Sequence, residues 1–134
     1  MAQDLGVSEH VDVMGWTAGD AKLEAFQTAD VYCLPSYAEN LPVSILEAMG
    51  ARLPVISTPV AGTPEEVIEN ETGFLVEPGD LETLTERLIR LLSDPDLRHQ
   101  MGHAGRDRAE ALFDNEVVCG RLIDLWQSTI SNRN

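Results

Sequence analysis

The sequence predicts an α/β domain whose strands form a parallel sheet. Short apolar runs alternate with segments of helical periodicity, and the runs are too continuous for an antiparallel sheet with one face in water. The chain has 134 residues, of which 43% are hydrophobic. This length and this composition are typical of a single globular domain with its own core.

Four apolar runs are the predicted strands, and each is closed by glycine or proline. Parallel strands need crossover connections, usually helical, between them, and helical patterns do lie between the runs. The predicted strands lie near Val11 to Gly15, Val31 to Pro35, Val55 to Thr58, and Phe74 to Val76.

Three predicted helices connect these strands. The first runs from about Asp20 to Thr28 after a Gly19-Asp20 cap signal, and the second runs from about Leu41 to Ala51. A shorter third helix begins at Thr63. There, Thr63-Pro64-Glu65-Glu66 combines an N-cap, a proline in the first turn and a capping-box glutamate.

The residues after 79 show helical patterns alone. We therefore divide the single domain into a strand-and-helix part, residues 1–79, and a helical part, residues 80–131. Asp80 is predicted to cap a helix that Ser93-Asp94-Pro95 ends.

Two further helices are predicted in the helical part. The segment after Pro95 should break near Arg106, because Gly102 and Gly105 weaken it. The final helix runs from Asn115 to Ile130, and the last three residues should fray.

The formal net charge of −14 argues against nucleic-acid binding, because such binding needs a clustered basic surface. Lys22 is the only lysine, so an anionic ligand would need helix N-termini, backbone amides or other basic residues. No apolar run approaches the roughly 20 residues that span a bilayer. The N-terminus also lacks the pattern of a secretory signal, and we expect a cytoplasmic protein.

The cysteine and histidine spacings predict neither a disulfide framework nor a metal site. Cys33 lies in an apolar strand pattern and Cys119 in a helical one, where reduced thiols behave as small core residues. His99 and His103 are four residues apart, but two ligands without a third are a weak signal for a metal.

Two motifs follow predicted strands at the edge where open α/β sheets bind ligands, beyond the carboxyl ends of the strands. One is the loop that contains Glu39, after the second strand, and the other is Val60 to Glu65, after the third. We therefore expect the ligand site at this edge.

Glu39 and Glu47 stand eight positions apart, a spacing that would turn two helical side chains roughly 80° away from each other. Pro42 favours the first turn of a helix, which leaves Glu39 in the preceding loop and Glu47 inside the helix. A carboxylate in an apolar helix needs hydrogen-bond donors, and a ribose diol offers two. The alternative is that Glu39 is a solvated loop residue and Glu47 bonds to nearby backbone or to Arg52.

Further motifs surround the glutamate pair, in order, along nearly the whole chain. They are Pro35-Ser36, Leu41-Pro42, Leu46-Glu47-Ala48-Met49, Pro54-Val55-Ile56, Gly62, Pro64-Glu65, Thr72-Gly73-Phe74-Leu75-Val76, Pro78-Gly79-Asp80 and Leu92-Ser93-Asp94-Pro95. With the pair itself, they resemble the nucleotide-sugar-dependent retaining glycosyltransferases of family 4, the glycosyl transferases group 1.

The resemblance implies a GT-B architecture, in which two Rossmann-like domains bind the donor in a cleft, mainly through the C-terminal domain. This chain resembles most of that C-terminal domain, with a Rossmann-like open parallel sheet of about four strands and a helical C-terminal region. The implied activity is transfer of a hexosyl group from a nucleotide sugar to an unknown acceptor. Neither a metal nor a cofactor is implied.

The same resemblance implies roles for the residues around the pair. Glu39 would be the catalytic residue and would also bind the donor, through hydroxyls of its sugar, and Glu47 would hold the ribose. The backbone amides of Asn40, Leu41 and Val43 would face the sugar and the diphosphate from a helix N-terminus. The base would sit at the Gly15-Trp16 turn, although Trp16 could equally cap the core.

Two departures from the family qualify these roles. Family members carry a preceding strand-helix-strand portion with a basic pair that clamps the diphosphate. Only Ala2 to Val7 resemble its end, so we expect a fragment or a truncated reading frame that is inactive alone. Arg52 stands where the family has glycine, and we expect another turn, some strain or a surface salt bridge there.

The final helix implies a partner. In this family its face, with Leu122, Leu125 and Trp126 in this chain, tends to cross back onto the missing N-terminal domain. An apolar face that is partly uncovered commonly becomes an interface, so we expect self-association through this helix.

A peripheral membrane location of the full-length enzyme stays open. The competing interpretation is a non-catalytic α/β interaction or oligomerisation module that keeps the fold and binds no nucleotide.

Overall fold

The computed structural model describes residues 2–131, which contain one sheet of three parallel strands in the order β1-β2-β3. The strands are β1 (Tyr32–Leu34), β2 (Val55–Ser57) and β3 (Gly73–Leu75). Tyr32 pairs with Val55, which in turn pairs with Gly73. The predicted α/β fold with a parallel sheet is confirmed.

Six α-helices lie within residues 2–131, one before the first strand and the others between or after the strands. Asp80 caps the fourth helix, as predicted, by accepting a hydrogen bond of 3.0 Å from the amide of Thr83. No helix in this part of the chain is long and apolar enough to cross a bilayer. The helices are α1 (Gly19–Thr28), α2 (Val43–Gly50), α3 (Thr63–Glu66), α4 (Leu81–Ser93), α5 (Pro95–Phe113) and α6 (Asn115–Ser131).

The central strand β2 supplies side chains to two buried apolar clusters. Successive residues of a strand point to opposite faces of the sheet, so Val55 and Ile56 belong to different clusters. Val55 packs with Ile45, Ala48 and Met49 of α2. The other cluster joins Ile56 to Phe74, Val76, Leu91 and Met101.

Residues Val11 to Gly15 do not form the first predicted strand. The segment has no strand partner among residues 2–131, and Val11 and Val13 are 50% and 85% exposed. A strand needs a neighbour to satisfy its backbone groups. The prediction was wrong because an apolar run supplies side chains for a sheet without supplying the adjacent strand.

Helix α2 starts later than predicted, whereas α3 begins at Thr63 as predicted but has a different N-cap. Pro42 is the N-cap of α2, so the helix begins at Val43. Gly62 is the N-cap of α3, and Thr63 is its first residue. The Thr63 hydroxyl therefore caps nothing, and it is buried without a hydrogen-bond partner among the described residues.

Both cysteines are exposed, so the prediction that they lie in the core is wrong. Cys33 lies on β1, the edge strand, and Cys119 lies on α6, which has no buried residue. The apolar face with Leu122, Leu125 and Trp126 on α6 is exposed, as predicted. Self-association through it stays a prediction, and residues 132–134 lie outside the described range.

Helix α5 runs unbroken from Pro95 to Phe113, so the predicted break near Arg106 is wrong. At Gly102 and Gly105 this helix lies close to Arg52 and Met49, respectively. A Cβ at Gly102 would overlap the carbonyl oxygen of Arg52, and one at Gly105 would lie 3.5 Å from Cγ of Met49. Without these side chains α5 packs closely against the end of α2.

Two arginines of α5 bind the C-terminal ends of other helices. Arg106 Nη1 donates to the carbonyl oxygen of Gly50 at 2.8 Å. Arg108 donates to the carbonyl oxygens of Glu65 and Glu66 at 2.6 and 3.0 Å. Carbonyl groups at helix ends lack partners within the helix, so α5 stabilises the ends of both α2 and α3.

Arg52 occupies the left-handed turn that ends α2, with a φ of 62°. The amide of Leu53 donates to the carbonyl oxygen of Ala48 at 3.0 Å, and the amide of Arg52 donates to that of Met49 at 2.9 Å. This pattern is a Schellman motif, in which glycine is the usual residue. The side chain makes no ion pair among residues 2–131, so the expected salt bridge is absent there.

Arg52→Gly should stabilise the protein by about 0.5–1 kcal/mol, because glycine adopts a positive φ without strain from Cβ. Arg52→Ala is the matched control, since it removes the same side chain and keeps Cβ. Urea unfolding of the three proteins measures the difference. Equal stability of the glycine and alanine variants would contradict this explanation of the turn.

Gly102→Ala should destabilise the protein by about 2–3 kcal/mol, because the new methyl group has to displace backbone. The control is Gly120→Ala on α6, where a Cβ would meet nothing within 4 Å. That change should stabilise the protein by about 0.5–1 kcal/mol through helix propensity. Thermal and urea unfolding test the pair, and the same sign for both changes would argue against the close packing of α5.

Candidate functional site

The loops that follow β1 and β2 meet at the carboxyl edge of the sheet. The amide of Gly62 donates to the carbonyl oxygen of Asn40 at 2.8 Å. A Cβ at Gly62 would lie only 2.7 Å from that oxygen, so the backbones approach as closely as glycine allows. The two motifs therefore form one surface, at the edge where open α/β sheets bind ligands.

Glu39 lies in the loop before α2, where the sequence places it, and it is partly buried. Its Oε1 accepts a hydrogen bond of 2.6 Å from Ser36 Oγ. The carbonyl oxygen of Ser36 accepts one of 2.6 Å from Thr58 Oγ1, which follows β2. Glu39 is thus an oriented carboxylate on a loop tied to the sheet, and not a freely solvated one.

Glu47 lies in the second turn of α2, and its partner is Lys22 of α1. Lys22 Nζ lies 2.6 Å from Glu47 Oε1. Within residues 2–131 no hydrogen bond joins this carboxylate to Arg52 or to backbone, so that alternative is wrong. The first turn of α2 is also less buried than its apolar sequence suggests, since Val43 is exposed.

Tyr32 of β1 lies close to both glutamates. Burial raises the pKa of its phenol, a hydrogen bond with the Ser44 side chain opposes this, and the charges of Glu39 and then Glu47 raise the pKa further. Both carboxylates therefore act electrostatically on one side chain.

The backbone before α2 offers free donors to a ligand. The amides of Asn40, Leu41 and Val43 donate to no acceptor among the described residues. Leu41 and Val43 are exposed, and the helix N-terminus carries a partial positive charge. An anionic group could bind there even though the chain is acidic.

The Gly15-Trp16 turn stands apart from this surface. Gly15 has a φ of 67°, and its carbonyl oxygen accepts a hydrogen bond of 3.2 Å from Thr17 Oγ1. The Trp16 side chain is 96% exposed, so it does not cap the core. No described contact joins the turn to either glutamate, and its role towards a base stays a prediction.

Glu66 is a buried acid on α3 that the sequence presented only as a capping residue. Neither of its carboxylate oxygens has a hydrogen-bond partner among residues 2–131. Burial, and then the charges of Glu39 and Glu65, raise its pKa to about 7. Glu66 is therefore partly protonated near neutral pH and lies close enough to Glu39 to interact with its charge.

Two grooves lie beside α2. One of about 510 Å³ is lined by Lys22 and Glu47. Another of about 320 Å³ is lined by His99 and His103, whose ring centroids are 6.2 Å apart. No cluster of three or more His, Cys, Asp or Glu in the described part of the chain could hold a metal ion, and a reaction without metal stays a prediction.

Sequence reasoning missed three participants in this site. Lys22 carried a signal, because it is the only lysine. Ser36 belongs to the Pro35-Ser36 motif, but the motif predicted no role for its side chain. Tyr32 had no signal, because a tyrosine in an apolar strand pattern is typical of a core residue.

A model of the family described as "Glycosyl transferases group 1" matches residues 1–108 of the chain. Over 129 residues the chain is 35% identical to a GDP-mannose-dependent monoacylated alpha-(1-6)-phosphatidylinositol monomannoside mannosyltransferase of Corynebacterium glutamicum. That match covers 91% of this chain and 34% of the relative. The chain spans about a third or less of the length of the relatives it matches.

Solved structures show the same fold. The chain is similar to sucrose-phosphate synthase of Thermosynechococcus elongatus with a TM-score of 0.88 and 30% identity, over 98% of this chain and 33% of that one. It is similar to Anabaena HepE, solved in complex with UDP, with a TM-score of 0.87 and 23% identity, over 95% of this chain and 35% of that one.

Glu66→Gln should make stability less dependent on pH. A pKa raised from 4.5 to about 7 means that the folded state binds the Glu66 proton more tightly than the unfolded state. The stability it supports is full below about pH 4.5 and is lost as the pH rises through 7. At pH 8 the variant should be more stable than the parent by on the order of 2 kcal/mol, and at pH 4.5 about equally stable.

Urea unfolding between pH 4.5 and pH 8 measures this effect, and Glu86→Gln on the exposed face of α4 is the control. The groups that face Glu66 are the carboxylates of Glu39 and Glu65, and Arg108 bonds to its backbone. A stability gain that does not grow with pH in Glu66→Gln would show that the buried carboxylate is not the titrating group.

Proposed function

The chain belongs to the glycosyl transferases group 1, and from that premise we propose that it is the nucleotide-sugar donor-binding part of a retaining hexosyltransferase. The donor would lie at the carboxyl edge of the sheet, between Glu39 and Glu47. The observation that carries this proposal is the Glu39 carboxylate, which Ser36 holds in the loop before α2, together with the free amides of Asn40, Leu41 and Val43 at the N-terminus of that helix.

Glu39 is proposed as the residue that bonds hydroxyls of the donor sugar. Ser36 holds one oxygen of the carboxylate at 2.6 Å, which fixes its orientation before a ligand arrives. Such preorganisation supports binding and catalysis, because less reorganisation is needed at the moment of reaction.

Glu47 is proposed to hold the ribose of the donor. Lys22 occupies Oε1, while Oε2 has no hydrogen bond among the described residues. A carboxylate oxygen is a suitable acceptor for a sugar diol, as acidic residues are in dinucleotide-binding folds.

The diphosphate is proposed to lie at the amides of Asn40, Leu41 and Val43. Oriented backbone dipoles stabilise the negative charge that the leaving diphosphate acquires when its bond to the sugar breaks. The acceptor oxygen then replaces the diphosphate at the same face of the sugar. With a net charge of −14 the isolated chain should bind a diphosphate weakly.

The relatives support a nucleotide-sugar donor without identifying it. The mannosyltransferase relative depends on GDP-mannose, and HepE was solved with UDP. We propose that the base lies near the Gly15-Trp16 turn. The acceptor would be bound by another part of the enzyme, because the chain spans only about a third of such relatives.

The rest of the enzyme is proposed to cover surfaces that are open here. β1 pairs only with β2 among the described strands, and Val11, Val13 and Trp16 are exposed in the segment before α1. We propose that neither a metal nor a cofactor takes part, and that residues 1–134 alone do not turn over a nucleotide sugar.

A second candidate function is that of a non-catalytic interaction module. The exposed apolar face of α6, with Leu122, Leu125 and Trp126, favours it. The two candidates differ in nucleotide binding, which the first requires and the second lacks.

Titration of the chain with UDP, GDP and ADP, followed by NMR up to millimolar concentrations, tests the proposal. At least one nucleotide should shift the amide signals of Asn40, Leu41 and Val43. Glu47→Ala should weaken that binding by about tenfold or more, because a hydrogen bond to a charged group is lost.

Glu86→Ala, on the exposed face of α4, is the control and should bind like the parent chain. Glu39→Ala should weaken binding of a nucleotide sugar more than that of the corresponding diphosphate. Absence of any binding by the parent chain, or equal binding by the Glu47 and Glu86 variants, would favour the interaction module.

A further inference from the structure

The ion pair between Lys22 and Glu47 links the first turn of α1 to the second turn of α2. Lys22 Nζ lies 2.6 Å from Glu47 Oε1, and the two side chains are 43% and 36% exposed. Both line the groove of about 510 Å³ between the helices. Lys22 is the only lysine in a chain that has nine cationic residues.

The pair is too exposed to have a large effect on fold stability. Ion pairs of this kind contribute little, since solvent and salt screen them and both side chains lose freedom. What the contact does determine is geometry, because a charge-assisted hydrogen bond of this length fixes where the carboxylate points. Oε1 is occupied, and Oε2 is left without a hydrogen bond among residues 2–131.

We propose that Lys22 is a positioning residue that orients Glu47 towards the ribose of the donor. This inference rests on the proposed function of Glu47 and assigns Lys22 no contact with the donor. The ammonium group holds Oε1, and Oε2 is left as an acceptor for the diol. Without Lys22 the Glu47 side chain would sample other rotamers and its charge would lose its partner.

Lys22 could affect nucleotide affinity by orienting Glu47 or through its own charge. Comparing the affinities of ribonucleotides and 2′-deoxyribonucleotides separates these two effects. The two ligands carry the same diphosphate, so a purely electrostatic or structural role of Lys22 changes both affinities equally. An orienting role changes only the part of the affinity that depends on the 2′-hydroxyl group.

The experiment measures dissociation constants of UDP, GDP and their 2′-deoxy counterparts by NMR titration of the whole chain. The parent chain should prefer the ribonucleotide by about tenfold, the worth of a hydrogen bond to a carboxylate. Lys22→Met should reduce this preference to about twofold or less, and Lys22→Arg should keep most of it, since it supplies a cation at the same place.

Two comparisons make the result specific. Arg121→Met removes one cation from α6, far along the chain from the groove, and should leave the preference unchanged. In a Glu47→Gln background, Lys22→Met should have no further effect on the preference, because the residue that it orients is already altered.

Equal weakening of ribonucleotide and deoxyribonucleotide by Lys22→Met would overturn the positioning role while leaving the proposed function intact. An unchanged preference in Lys22→Met would overturn it as well. A parent chain that binds nucleotides without any preference would overturn the ribose role of Glu47 itself. If Lys22→Met fails to fold, a preference lost in Lys22→Gln and kept in Lys22→Arg supports the proposal, and one kept in both contradicts it.

Discussion

The close packing of α5 on the C-terminal end of α2 is the contact on which the rest of the structure depends. Gly102 lies against the carbonyl of Arg52, and Arg106 donates to the carbonyl of Gly50 at 2.8 Å. Because α2 is a rigid element whose other end lies at the carboxyl edge of the sheet, fixing its C-terminal end also fixes the amides that open it. A contact remote from the candidate site therefore determines the position of the site.

Four of the nine lysine and arginine residues of this acidic chain bind helix ends. Arg98, Arg106, Arg108 and Arg121 donate to carbonyl oxygens in the last turns of α4, α2, α3 and α5, respectively. These carbonyls carry the negative end of each helix dipole and lack partners within the helix. The positive ends of α2 and α3 stay uncapped by side chains, so the edge that faces a ligand keeps its partial positive charge despite the net charge of −14.

The three acidic residues around the candidate site differ in their hydrogen-bond partners. Glu39 and Glu47 are held by a hydroxyl and an ammonium group, respectively, whereas Glu66 is buried with no partner among the described residues. Two charged carboxylates and one partly protonated carboxyl group thus lie around the same loops.

The sequence by itself determined the fold class, the positions of three strands and most helices along the chain, the cap at Asp80 and the loop position of Glu39, because these follow from local periodicity, capping chemistry and proline. Only the tertiary structure decided that Val11 to Gly15 is not a strand, that Gly102 is a contact, and that Lys22 binds Glu47. Each of these depends on which distant segment lies opposite a residue, and local pattern carries no information about that.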